Sequence, residues 1–102
     1  MRANAAQARM RAAFDIGIAH EFGVGLVQDA EKAVVELESA FAGGCVEAAV
    51  HLGRNFYRGA GVARDFKRAL VLLEFVLLEV AAANGFYGNK FVADEKVLMR
   101  FR

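Results

Sequence analysis

Few side chains in this sequence have the type and spacing for chemistry. His20, His51 and Cys45 are its only soft metal ligands. No C-x-x-C or H-E-x-x-H spacing joins them, and zinc needs a convergent ligand set of that kind. No metal and no cofactor is therefore expected. A nucleophilic Cys45 would need an adjacent base and an oxyanion hole. His51 falls on the following helix and is a poor partner, so Cys45 reads as a buried structural thiol. Two glycine runs, Gly23-Val24-Gly25 and Gly59-Ala60-Gly61, have the look of phosphate cradles. They lack the P-loop lysine and the preceding strand of a dinucleotide site. The carboxylates Asp15, Glu21, Glu36, Glu38, Glu74 and Glu79 show no pairing as acid and base. Catalysis is not expected. What remains is recognition. Arg54, Asn55 and Arg58 lie one helical turn apart, and guanidinium forks suit carboxylates.

The totals narrow the field further. The chain of 102 residues fits one domain, 1–102. Apolar residues make up 57% of it, against about 45–50% in ordinary soluble domains. That surplus must be buried in the chain or against another surface. A net charge of +1 gives no general pull toward nucleic acid or an anionic membrane. Neither is an expected partner. Arg2, Arg9 and Arg11 near one end, and Lys90, Lys96, Arg100 and Arg102 near the other, read as solvated helix ends. A single cysteine makes no internal disulfide and fits a reducing compartment. The N-terminus has no apolar signal-peptide core. The longest apolar stretch, Ala69 to Ala83, is interrupted by Glu74 and Glu79, and a bilayer needs about 18–20 apolar residues. A cytoplasmic location is expected. With no proline and ten glycines, glycine must supply most stops.

Those glycines repeat. A shift of 36 residues lays Ala12–Glu38 over Ala48–Glu74, with ten identities in 27 positions. The pairs include Gly17 with Gly53, Gly23 with Gly59, Gly25 with Gly61, Asp29 with Asp65, and Ala33 with Ala69. Each unit reads as helix, glycine loop, helix. In the second unit the apolar spacing predicts a helix over about 46–58. Asp65 then sits at the N-cap of a helix from Phe66, where a carboxylate can accept from free N–H groups. Gly23, Gly25 and Asp29 take the same roles in the first unit. A small residue at the same intrahelical place of both units, as at Gly17 and Gly53, implies close helix contact, because glycine there costs about 1 kcal/mol.

The second unit resembles a Sel-one-like repeat, a relative of the tetratricopeptide repeat with a longer loop. Ala48, Leu52, Gly53, Phe56, Gly59, Gly61, Val62, Asp65, Arg68 and Ala69 carry the likeness. The first unit follows more loosely through Ala12, Ile16, Gly17, Gly23, Gly25, Leu26, Asp29, Lys32, Ala33 and Ala40, with His20 at the aromatic position. The resemblance implies an all-α fold: a short α-solenoid of two helix-loop-helix repeats, about 12–44 and 48–85. It also implies an adaptor or scaffold role and supplies no catalytic residues. Val76 and Leu77 stand where the family carries an Ala-Ala pair, so the regular stack should end there. Ala81 to Gly85 read as a longer linker, and a capping helix is expected over about 89–101.

Two surfaces are then expected to matter. The first helices of the units should form a concave wall from Asp15, Ile18, Ala19, His51, Arg54, Asn55 and Arg58. The fourth helix is apolar nearly all round. Leu72, Phe75, Val76, Glu79 and Val80 on it are candidates for self-association. The expected partner is another protein or peptide, or a second copy in a homodimer. Two alternatives stand beside the adaptor: a regulatory or immunity-type protein that inhibits one enzyme or toxin, and a self-assembling structural subunit.

Overall fold

A computed structural model of the protein describes the backbone of residues 2–83 and the side chains of residues 5–83. The described chain is all-helical: α1 (Arg2–Phe22), α2 (Ala30–Ala42), α3 (Val46–Arg58) and α4 (Phe66–Ala83). Helix α1 packs on α2, α2 on α3, and α3 on α4. Helix α1 begins at Arg2, since nothing in the alanine-rich start breaks it. One expectation about the ends needs correction. Ala81 to Ala83 continue α4 instead of forming a linker, for the same reason. The expected capping helix at 89–101 and the basic residues Lys90, Lys96, Arg100 and Arg102 lie outside the described residues.

The helix starts follow from side-chain chemistry. Asp29 is the N-cap of α2 in extended conformation, and its Oδ1 accepts from Lys32 N at 3.1 Å. Asp65 does the same for α4, accepting from Arg68 N at 3.0 Å. The backbone before each cap is held alike: Asp29 N donates to His20 O and Asp65 N to Phe56 O, both at 2.9 Å. Helix α3 starts differently. Cys45 occupies its N-cap position without a side-chain cap bond. The thiol is free, and the residue is only 2% exposed.

The core explains the small residues. Leu37, Leu52 and Leu72 are its largest fully buried side chains, each contributing about 1.5–3 kcal/mol. Between them lie Ala33, Ala40, Ala48 and Ala49, all at 0% exposure, which let the helix axes approach. Gly17 and Gly53 do so more strongly. A Cβ on Gly17 would lie 2.9 Å from Leu37 Cγ, and one on Gly53 3.2 Å from Leu73 Cγ and Cδ2.

The fourth helix departs from expectation. Leu72 is buried in the core at 2% exposure, and Phe75 and Val76 pack partly against that core. Phe75 meets Phe41 edge-on, with ring centroids 5.3 Å apart. Leu72 is therefore not part of an outer face. The face that α4 does turn outward carries Leu70, Val71, Leu73 and Leu78. Glu79 and Val80 are exposed beyond them. Among the described residues, no helix is long and apolar enough to cross a membrane.

Candidate interaction site

Helices α1 and α3 meet through side chains rather than backbone. The meeting point is a cluster of Glu21, His51 and Arg54. Arg54 Nη2 donates to Glu21 Oε1 at 3.2 Å and lies 3.1 Å from His51 Nδ1. His51 Nδ1 is also 3.0 Å from Glu21 Oε2. Nδ1 cannot accept from Arg54 and donate to Glu21 at once. Glu21 Oε2 receives no hydrogen bond, so the 3.0 Å approach of His51 is proximity and not a directed bond. The guanidinium, aimed at both partners, is what holds the three together. The surroundings are aromatic. Phe14 and Phe22 meet the His51 ring edge-on, at 5.8 Å and 6.3 Å between centroids. Arg54 also lies over the Phe22 ring at 5.9 Å. Further along the same two helices, Arg11 pairs with Glu47 at 3.3 Å and lies over Phe14 at 5.4 Å.

Beside this cluster is an open cavity of about 270 Å³, lined by Glu21, Phe22, Gln28, Arg54, Asn55 and Arg58 among others. Gln28 closes one side by donating from Nε2 to Glu21 O at 3.0 Å.

The residues expected on the concave wall divide into three groups. Asp15 and Arg58 are exposed. His51 and Arg54 are half-buried, Arg54 bonded to Glu21 and His51 to Arg54, so they are brought together but not free. Asn55 is a correction: only 4% of it is exposed, and it forms the floor of the cavity rather than an outer wall. Ile18 is half-buried and packs partly against the core. Ala19 is half-buried. His20, at the aromatic position of its unit, turns Nδ1 to Val27 O at 3.1 Å and steadies the first loop.

Glu21 is the residue that sequence spacing does not single out. It lies 33 positions from Arg54, and its counterpart in the second unit is Tyr57. The repeat therefore does not mark it; only the placement of α1 beside α3 brings it into range. Cys45, buried at the start of α3, has no base among its hydrogen-bond partners. Among the described residues, no group of three His, Cys, Asp or Glu is placed to hold a metal ion. What this arrangement offers a ligand is a set of guanidinium, amide and aromatic groups on two neighbouring helices. Comparison with protein-family models, curated proteins and solved structures found no match.

Proposed function

We propose that the chain is a non-catalytic protein-interaction module, a short α-solenoid of two Sel-one-like repeats that binds a partner protein or peptide on the face built by α1 and α3. One observation carries this reading. Positions 36 apart share the same cap bonds and small-residue contacts, while the outward side chains differ. Asp15 stands opposite His51 in the repeat, and Phe22 opposite Arg58. A constant scaffold with differing outward groups is what specific recognition needs, and Arg and aromatic residues are the usual energetic anchors of interfaces.

The test is capture of a cellular partner by the immobilised chain and by its Arg58→Glu variant, with solution mass measured alongside. The reading expects loss of capture at unchanged mass. Capture that survives Arg58→Glu sinks the α1–α3 assignment.

Self-association is the second reading, favoured by Leu70, Val71, Leu73 and Leu78 on the outward face of α4. Exposed apolar area of that kind marks contact surfaces when it is contiguous. It expects a dimer mass by light scattering, and a return to monomer on Val71→Lys. A monomer at all concentrations removes it.

A further inference from the structure

The repeat supplies an internal control for its own surface. Both units turn through the same glycine loop, so any side chain the scaffold requires should recur in both. At the second loop the four side chains that line its cleft do not recur. Tyr57, Arg58, Arg64 and Phe66 line a cleft of about 260 Å³. Their counterparts in the first unit are Glu21, Phe22, Gln28 and Ala30. The first loop forms with those, so the turn itself does not need aromatics or cations here.

The four are arranged as a surface. Tyr57 is 61% exposed and Phe66 57%. Their rings stand 5.4 Å apart at 58°, a tilted contact that leaves an exposed apolar surface shared by the two. The Arg64 guanidinium lies over Phe66 at 5.7 Å. Among the described residues, no carboxylate pairs with Arg58 or Arg64. The nearest acid in sequence, Asp65, is occupied with capping α4. Two unneutralised guanidinium groups therefore flank two exposed rings.

We propose that this cleft docks an acidic peptide segment, with an apolar side chain packed on the exposed surface of Tyr57 and Phe66 and neighbouring carboxylates on Arg58 and Arg64. This rests on the reading of the chain as an interaction module and names a partner chemistry and a second place for it. Charge complementarity selects the acid, because guanidinium forks bind carboxylates bidentately. The exposed ring surface selects the apolar group. Single-stranded nucleic acid fits less well. It needs a basic groove that tracks a backbone, whereas here the neighbouring Arg54 is neutralised by Glu21 and the whole chain carries only +1.

The experiment is fluorescence anisotropy with the full chain and three labelled probes. One is a peptide of glutamates flanking a central phenylalanine. The second has lysines in place of the glutamates. The third is an oligouridylate of similar length. Saturable binding of the acidic peptide alone is expected. Arg64→Glu should weaken it at least about tenfold, and Tyr57→Ala with Phe66→Ala by about fivefold or more. Circular dichroism checks that these surface variants keep their helices. No saturable binding of the acidic peptide overturns the proposal. So does binding indifferent to these variants, or oligouridylate binding that they abolish. Weakening by Arg54→Ala without effect of Arg64→Glu would leave the α1–α3 reading standing and reject the cleft.

Discussion

The two glycine loops have the same backbone and opposite surroundings. Gly25 and Gly61 occupy the same place, at φ +79 and +76. A Cβ on Gly61 would lie 2.3 Å from Ala30 O, whereas one on Gly25 would meet nothing within 4 Å. The second loop is seated on the start of α2, and nothing among the described residues is seated on the first in that way. The side chains follow suit. Val62 packs against the core, while its counterpart Leu26 is 43% exposed, with Val24 and Val27 more exposed still. Burial here is decided by what lies next to a unit more than by the unit's own residues.

The largest expected effect tests that difference directly. Alanine at either glycine must adopt a left-handed conformation, which costs about 1–2 kcal/mol. At Gly25 nothing more is needed. At Gly61 the backbone of α2 must also move, and the total should exceed about 3 kcal/mol. Urea unfolding of Gly25→Ala and Gly61→Ala measures both. Equal losses would break the comparison, because they would mean the second loop is not clamped on α2.

The next effect compares Glu21 with Tyr57, its counterpart. Glu21→Ala leaves Arg54 without the carboxylate that orients it. Glu21 is well buried, at 13% side-chain exposure, but Arg54 is 39% exposed and partly screened, so the expected loss is about 1–2 kcal/mol. Tyr57→Ala removes an exposed ring and should change stability by no more than about 0.5 kcal/mol. If both variants cost the same, the cluster does not hold α1 to α3.

Gly17 and Gly53 should differ in sign. Both sit inside helices, where replacing glycine by alanine gains up to about 1 kcal/mol. The Leu37 that Gly17 faces is 0% exposed and cannot move away, while the Leu73 that Gly53 faces is 45% exposed and can. Gly17→Ala should therefore lose about 1 kcal/mol through overpacking. Gly53→Ala should be neutral or stabilising. Thermal melts of the two variants decide this, and two losses of equal size would mean Leu73 is held as firmly as Leu37.

The local grammar of the fold was legible because it is written in single residues. The left-handed glycines and the two aspartate caps each follow from one side chain or its absence, and the helix over Val46–Arg58 from apolar spacing within one segment. Burial was less legible because it depends on neighbours. The periodicity of α4 does not tell which stripe meets α3, so Leu72 read as an outer residue although it is core. Asn55 does line the cavity, but buried rather than on an open wall, because its spacing on α3 does not tell how deep the neighbouring helices cover it. The Glu21 cluster was out of reach. Its members lie on two helices joined only by the fold, and no spacing rule spans them.

The smallest effect serves as the baseline for the rest. Asp29 and Asp65 make the same bond with nearly the same length, 3.1 Å and 3.0 Å. Both bonds are local and exposed, so neither depends on what is seated beside its unit. Replacing an aspartate N-cap by alanine costs about 1 kcal/mol. Asp29→Ala and Asp65→Ala should therefore lose the same amount within the error of a urea titration. Asp29 leads into a helix packed on both α1 and α3, and Asp65 into one packed on α3. A larger loss for Asp29→Ala would show that the seating of the second loop on the start of α2 depends on that cap, since Ala30, the residue Gly61 presses on, is the first residue Asp29 caps.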